Sequence, residues 1–238
     1  MGDGGTSRPC GCSVRSCRGI LGGVKQGEFF PTTPEARERV FELEDAEVRL
    51  REGFLSPQES ESLFEEIRQD TPWEQERLVM YGKEILAPRL TAWYGDRECV
   101  YRYSGVEHVP LKWTPQLDRI RQRVVVCVGE KFNSVLLNYY RDGQDSVSWH
   151  SDDEPHLGPV IASLSLGEQR TFQLKHKQRT DLPRVDIELP PGSLFVMSGD
   201  CQLKWRHQLP KRRGSIGPRI NLTFRVFDQL DVTNRSYP

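Results

Sequence analysis

The sequence lacks a long apolar run and an excess of either charge. Its 238 residues contain no apolar stretch long enough to cross a membrane and no secretory signal. We therefore expect an intracellular protein of the nucleus, the cytoplasm or both, with no membrane partner. A formal net charge of -1 excludes a global field that would draw the chain onto a polyanion.

Cysteine is also scarce, and half of it lies close to the first residue. Three of the six cysteines are Cys10, Cys12 and Cys17, and their spacing lacks the second pair or nearby histidine of a zinc site. A reducing interior disfavours disulfides. Residues 1–27 are rich in Gly, Ser and Arg and are predicted to be a disordered tail. Residues 28–238 can form one domain around one core, which we expect to be monomeric.

Helix signals lie in the first half of this region and strand signals in the second. Ser56-Pro57 and Thr114-Pro115 predict helix starts, although the β-branched run VVVCV leaves the end of the second helix open. Beyond Phe132 the chain breaks into short apolar runs that predict strands. These runs are SVLLNYY, VIASLSLG, TFQLKHK, RVDIELP, GSLFVMS and RINLTFRVF. Strands without intervening helices favour a sandwich or a barrel.

Charge is distributed unevenly along the chain. From Arg170 to Arg225 there are 12 Lys and Arg against 4 Asp and Glu, whereas residues 28–52 contain 8 acids and 4 bases. The basic surplus predicts either a face that binds phosphates or an ordinary solvated surface. The candidate phosphate contacts are Lys175, Lys177, Arg179, Lys204, Arg206, Lys211, Arg212 and Arg213.

The strand RINLTFR has one unusually polar face. Because alternate residues of a strand share a face, Arg219, Asn221 and Arg225 should project together, opposite the apolar residues between them. Two guanidinium groups on one face require an anion or open water, and their geometry suits a dicarboxylic acid. The same alternation places Asn138 and Tyr140 on one face of SVLLNYY.

The stretch SVSWHSDDEPHL places His150 two positions before the first of three acids, Asp152, Asp153 and Glu154. Clustered acids repel one another unless water or a cation screens them, so the stretch is either a solvated turn or part of a metal site. In extended backbone His150 and Asp152 point the same way. With His207 as a third ligand, they would form the facial triad of non-haem Fe(II) oxygenases.

Several of these motifs together resemble the AlkB family of Fe(II)/2-oxoglutarate-dependent nucleic-acid demethylases. The resemblance implies an α+β, mainly β fold: a double-stranded β-helix (jelly-roll) core with N-terminal helices and a nucleotide-recognition lid. The implied lid covers about residues 71–110 and the core about 132–227. The matching stretches are PRLTAWYGD, FNSVLLNYYRDGQDSVSWHSDDEP, IASLSLGEQRTFQLKHK and PRINLTFR.

The same resemblance implies a role for each candidate site residue. His150, Asp152 and His207 would bind Fe(II). The cosubstrate 2-oxoglutarate would bind to Asn138, Tyr140, Arg219, Asn221 and Arg225. Asp153 would face the substrate base, Glu154 would brace Asp153 or contact the substrate, and a pocket for a flipped base would need stacking surfaces. Candidates for the pocket and for a duplex-opening hairpin are Trp93, Tyr101, Tyr103, Arg89, Tyr81 and Lys83.

The leading interpretation is oxidative demethylation of 1-methyladenine and 3-methylcytosine in DNA, a direct-reversal repair that uses O2 and releases formaldehyde, succinate and CO2. An RNA demethylase of the same mechanism is the alternative. The stretches WHSDDEP and PRLTAWYG resemble a family member that prefers single strands, whereas YGK resembles the duplex specialist. A catalytically silent nucleic-acid binder and an oxygenase acting on protein or lipid also remain open.

Overall fold

Two capped helices precede most of the strands. In the computed structural model, residues 1, 37–80, 83–103, 106–154 and 156–227 are described. Helix α1 (Pro57–Asp70) begins with a capping box, because the Ser56 hydroxyl accepts from the Glu59 backbone and the Glu59 carboxylate accepts from the Ser56 backbone. Helix α2 (Pro115–Val128) is capped by Thr114. A one-turn helix, α3 (Cys201–Lys204), follows later.

The strands of the described residues run antiparallel wherever they pair in a ladder. They are β1 (Arg37–Leu43), β2 (Ala46–Glu52), β3 (Arg77–Met80), β4 (Lys83–Leu86), β5 (Leu90–Gly95), β6 (Tyr101–Tyr103), β7 (Val106–His108), β8 (Ser134–Tyr140), β9 (Val147–His150), β10 (Leu157–Gly167), β11 (Arg170–His176), β12 (Val185–Leu189), β13 (Leu194–Gly199), β14 (Trp205–Leu209) and β15 (Arg219–Phe227).

A seven-stranded sheet has the order β1-β2-β13-β10-β15-β8-β5, and a four-stranded sheet has the order β12-β11-β14-β9. One apolar cluster lies between the seven-stranded sheet and the two long helices, where Leu137, Leu164 and Leu222 stand in register on three neighbouring strands. A second cluster joins the two sheets, with residues such as Phe195 from the large sheet and Leu174 from the small one. The expected mainly β, jelly-roll architecture is confirmed.

The structure extends the large sheet beyond the segment 132–227. Strand β2 pairs with β13, and β5, which falls inside the expected lid, pairs with β8. Within 71–110 there are also two hairpins, β3–β4 and β6–β7. None of the helices in the described ranges combines the length and the apolar character needed to span a bilayer.

The uncertain end of the second helix is resolved by packing. The β-branched run continues as helix to Val128 and stops at Gly129, whose φ of 83° suits a left-handed cap. Val124 is fully buried against the large sheet, whereas Val126 is exposed. Burial of one helical face therefore outweighs the low helix propensity of valine.

Candidate active site

Two histidines from neighbouring strands and one aspartate converge at the edge of the small sheet. His150 on β9 is in register with His207 on β14, and their ring centroids are 4.2 Å apart. Asp152 follows two residues after His150. One potential ligand atom from each of the three lies within 4.8 Å of the others. Antiparallel pairing thus brings together side chains that are 57 positions apart in the sequence.

Hydrogen bonds with groups outside the triad fix the orientation of His150 and Asp152. His150 Nδ1 lies 2.8 Å from the Ser148 carbonyl, which can only accept, so Nδ1 carries a proton and Nε2 is the candidate ligand atom. That Nε2 lies 3.8 Å from Asp152 Oδ1. The other carboxylate oxygen, Oδ2, accepts a 2.7 Å hydrogen bond from Arg225 Nη2. Orientation of both side chains is therefore set by groups outside the triad.

The electrostatics keep Asp152 and His207 in the forms that bind a metal. Burial raises the pKa of Asp152, but the charge of Arg225 and the two histidines outweigh it and bring the pKa to about 2. Burial lowers the pKa of His207 to about 3. At neutral pH the site thus presents one carboxylate and a neutral His207 imidazole, the forms that bind a divalent cation.

Arg219 is a buried cation whose charge is not matched by an acid. Its side chain is 2% exposed, Nη2 donates to Ser165 Oγ at 2.9 Å, and buried Nε has no partner. Among the described residues no carboxylate lies within ion-pair distance of it. Burial lowers the pKa of Arg219 to about 10. An unpaired buried guanidinium is costly, so the position fits an anionic ligand.

The polar face predicted for the last strand is present. Across β8 and β15, Arg219 is in register with Tyr140 and Asn221 with Asn138. Tyr140 is buried with its ring centroid 5.5 Å from the Arg219 guanidinium, and burial raises its pKa against the opposing charges of three arginines. The Asn221 amide donates to Ser163 and accepts from the Thr223 hydroxyl. Asn221 thus has partners within the protein, which makes it a candidate for holding this face in place.

These donors fit Fe(II) and 2-oxoglutarate. Two imidazoles and a carboxylate whose ligand atoms lie this close together suit ferrous iron. A dicarboxylate beside them could place one end on the orphaned Arg219. Arg225 lies closer to the triad, because it already contacts Asp152.

The residues expected to face the substrate differ in their exposure and in their contacts. Asp153 and Glu154 are exposed, and Asp153 Oδ2 lies 2.8 Å from Lys177 Nζ, whose hydrogen bond is the main cause that lowers the Asp153 pKa. Trp93 on β5 is in register with Leu136 and so lies on the same face as Asn138. Burial raises the pKa of Tyr140 whereas the charge of Arg89 lowers it, and the Arg89 Nε atom is buried without a hydrogen-bond partner among the described residues.

Other predicted contacts fall partly or wholly outside the described residues. Tyr81 is not described, and for Tyr101 and Tyr103 only the backbone, in β6, is described. Lys83 is exposed at the start of β4.

Three residues near the site were not assigned these roles from the sequence. Lys177, expected on phosphates, pairs with Asp153 instead. Arg170, fully buried, donates to the carbonyls of Asp142, Asp145 and Pro210 and so ties two loops to the small sheet. Gln202 accepts from the Asp152 backbone N–H. Each contact joins distant parts of the chain, so local sequence pattern offers no signal for it.

The basic surface is also partly neutralised. Arg179 donates to both Glu44 and Asp181, and its pKa is raised by Asp181. The Lys175 ammonium lies over the Trp149 ring, 4.2 Å from its centroid. Lys177 and Arg179 are therefore less available to phosphates than their charge alone suggests.

Comparison with known proteins agrees with this geometry. Residues 47–225 match the model of the 2OG-Fe(II) oxygenase superfamily. The chain is 42% identical over 205 residues to alpha-ketoglutarate-dependent dioxygenase alkB homolog 3 of Homo sapiens, covering 80% of this chain and 71% of that protein. It is 38% identical over 189 residues to DNA oxidative demethylase ALKBH2 of Bos taurus, covering 75% and 67%.

A solved structure of OsALKBH1 superposes with a TM-score of 0.57 at 13% identity, covering 79% of this chain and 99% of that one, which shows a shared fold. The superfamily uses Fe(II), 2-oxoglutarate and O2. The chain therefore belongs to the AlkB family of the 2OG-Fe(II) oxygenase superfamily and is an Fe(II)/2-oxoglutarate-dependent dioxygenase.

Proposed function

We propose that this dioxygenase removes N-methyl groups from 1-methyladenine and 3-methylcytosine in DNA, a direct-reversal repair. The observation that carries the proposal is the exposed carboxylate of Asp153, one residue from the candidate iron ligand Asp152. These lesions are cationic, so an exposed acid next to the iron ligand suits them. Relatives named as alkB homolog 3 and DNA oxidative demethylase ALKBH2 support the reaction and the substrate class.

Three residues would hold the iron, and residues of the seven-stranded sheet would hold the cosubstrate. His150, Asp152 and His207 supply two nitrogens and one oxygen, and Arg225 keeps Asp152 oriented from the other side. Arg219 would neutralise the far carboxylate of 2-oxoglutarate, with Tyr140 beside it. When bound, iron, 2-oxoglutarate and O2 supply the oxidation of the methyl carbon, which leaves as formaldehyde with succinate and CO2 as co-products.

The remaining residues would orient the base. Asp153 could accept from an exocyclic amine or offset the positive charge of the base, and Glu154 lies next to it. Trp93 offers an aromatic surface on the face that also carries Asn138. Lys83 is exposed at the start of β4 in the β3–β4 hairpin. This hairpin could contact a duplex or a single strand.

An RNA demethylase of the same mechanism is the second candidate, because the site residues do not distinguish ribose from deoxyribose. A catalytically silent binder is less favoured, since both histidines, the aspartate and both arginines are in place. With DNA as substrate, we propose action in the nucleus, the cytoplasm or both, by a monomer whose single domain spans 28–238, with a lid at about 71–110 and a core at about 132–227.

Parallel assays on three polymers test the proposal. The protein is incubated with Fe(II), ascorbate and 2-oxoglutarate and with the same methylated sequence as single-stranded DNA, duplex DNA or RNA, and both succinate and restored base are measured. The Asp152→Ala variant, which lacks a candidate ligand, serves as the inactive control. We expect the highest kcat/KM on one of the DNA forms. Faster turnover of RNA would overturn the choice of DNA, and absence of restored base with all three would favour a binder.

A further inference from the structure

The segment that carries Asp152 has no regular secondary structure of its own. Residues 151–154, which follow the end of β9, form no helix, strand or turn. Asp152 is nevertheless buried, while the neighbouring Asp153 and Glu154 are exposed. A segment of this kind stays in one conformation only if contacts from other elements hold it.

Gln202 on α3 makes one such contact from a buried position. Its Oε1 accepts the backbone N–H of Asp152 at 3.0 Å, and its side chain is 4% exposed. Its Nε2 lies 3.6 Å from Met197 Sδ, which fixes the amide with the oxygen toward Asp152. Without Gln202, the Asp152 N–H would lose its buried acceptor.

Lys177, just beyond β11, makes the second contact and joins it to the first. Its Nζ donates to Asp153 Oδ2 at 2.8 Å and to the backbone carbonyl of Gln202 at 2.8 Å. The Lys177 backbone N–H also donates to the Lys204 carbonyl at 2.7 Å, so the end of β11 is bound to α3. One short helix therefore anchors two of the three acids of the segment, Asp152 directly and Asp153 through Lys177.

We propose that Gln202 and Lys177 are positioning residues for the reaction. Gln202 holds the iron ligand Asp152 through its backbone N–H, and Lys177 orients the substrate-facing carboxylate of Asp153. Neither residue is one of the candidate iron or cosubstrate residues. The Lys177 part rests on the proposed function, because it needs Asp153 to contact the base, whereas the Gln202 part concerns metal binding alone.

Metal affinity tests the Gln202 part. Mn(II) is titrated into the metal-free full chain, and its dissociation constant is compared for wild type, Gln202→Met and the control Gln173→Met. Methionine keeps the volume but removes the acceptor. Gln173 is also buried and hydrogen-bonded, but to Asp186 and Gln208, away from the segment.

We expect Gln202→Met to weaken Mn(II) binding by about tenfold or more, the usual effect of losing a group that orients a ligand, and Gln173→Met by less than about twofold. Melting temperatures, measured in parallel, separate positioning from general destabilisation. Equal Mn(II) affinity in both variants would overturn the role of Gln202. This result does not depend on any nucleic-acid substrate.

A double-mutant cycle tests the Lys177 part. KM for a methylated oligonucleotide is measured for Lys177→Met, Asp153→Asn and the double variant, with Lys177→Arg as the conservative control. We expect each of the first two to raise KM by about tenfold or more and the double variant to be no worse than Asp153→Asn, because Lys177 acts through Asp153. Lys177→Arg should recover part of the loss.

Additive effects in the cycle, or an unchanged KM for Asp153→Asn, would overturn the role of Lys177. If the wild type restores no methylated base, the proposed function fails and the Lys177 part fails with it. The Mn(II) titration would still decide the role of Gln202.

Discussion

Replacing Arg219 by methionine should abolish tight 2-oxoglutarate binding without destabilising the protein alone. The guanidinium is 2% exposed, and its described protein partners are the Ser165 hydroxyl and the face of Tyr140. Removing one partner of a buried ion pair costs about 3–5 kcal/mol. At about 1.4 kcal/mol for each tenfold change, the 2-oxoglutarate dissociation constant should rise by about 100-fold to 4,000-fold.

The free energy of unfolding of the ligand-free protein should not fall together with the 2-oxoglutarate affinity. Arg219→Met loses one hydrogen bond, worth about 1 kcal/mol, and a cation–π contact worth about 0.5–2 kcal/mol. It also removes a buried charge whose desolvation costs several kcal/mol. The free energy of unfolding should therefore stay within about 1 kcal/mol of wild type or increase.

Arg170 is the matched control, because it is equally buried but both of its terminal nitrogens donate to backbone carbonyls. It donates to three backbone carbonyls, which Arg170→Met would leave with unmet hydrogen-bonding capacity. Each such loss costs about 1–3 kcal/mol, so this variant should be clearly destabilised. Its 2-oxoglutarate affinity should change far less than that of Arg219→Met.

Thermal unfolding with and without 2-oxoglutarate, under anaerobic conditions with Fe(II), separates the two effects. At a 2-oxoglutarate concentration of 100 times the wild-type dissociation constant, the ligand should stabilise wild type by about 2.7 kcal/mol. The same concentration should stabilise Arg219→Met by about 0.4 kcal/mol or less. If 2-oxoglutarate stabilised Arg219→Met as much as wild type, the assignment of Arg219 to the cosubstrate would be refuted. A loss of several kcal/mol in the ligand-free stability of this variant would refute it as well.

Three further predictions address other parts of the site and fold. Arg225→Gln should weaken Fe(II) binding about 10-fold to 100-fold, since Asp152 loses its 2.7 Å partner; unchanged affinity by metal titration would contradict this. Gly167→Ala should lower the free energy of unfolding, measured in urea, by at least about 2 kcal/mol, because the Gly167 φ is +77° and an added Cβ would lie 2.5 Å from a backbone oxygen. A loss under about 0.5 kcal/mol would show that the turn relaxes. Trp93→Ala should raise KM for a methylated oligonucleotide by about tenfold or more through lost stacking, whereas equal KM would remove Trp93 from the base pocket.

The polar face of β15 could be predicted because a strand repeats every two residues. Arg219, Asn221 and Arg225 are separated by even numbers of positions, so any strand through them places them on one side. The pairing of β15 with β8 and β10 then brings this face to Asn138 and to Ser165. His150 and Asp152 obey the same rule, and His207 was found because ferrous sites need a second imidazole.

Strands β1 and β2 are not among the predicted strands, because charged residues are frequent in both segments. In AEVRLRE the apolar residues Val48 and Leu50 alternate with charged ones and are fully buried between the sheets. The composition indicates an acidic region, although the alternation also predicts a strand with one solvated face. Strand β1, at the edge of the sheet, carries exposed charges that discourage further pairing. Similarly, β5 was assigned to the lid, since its pairing with β8 depends on tertiary structure.

The candidate site depends on the distance between two sheets. The histidines project from the small sheet and the arginines from the large one, so neither sheet alone contains both the metal and the cosubstrate residues. Arg225 and Asp152 bridge the two at 2.7 Å, but an ion pair of this kind contributes little net energy once desolvation is counted. The separation must then be maintained mainly by the apolar cluster between the sheets, where Leu174 is in register with His207. The core therefore determines the geometry in which the polar groups can bind their ligands.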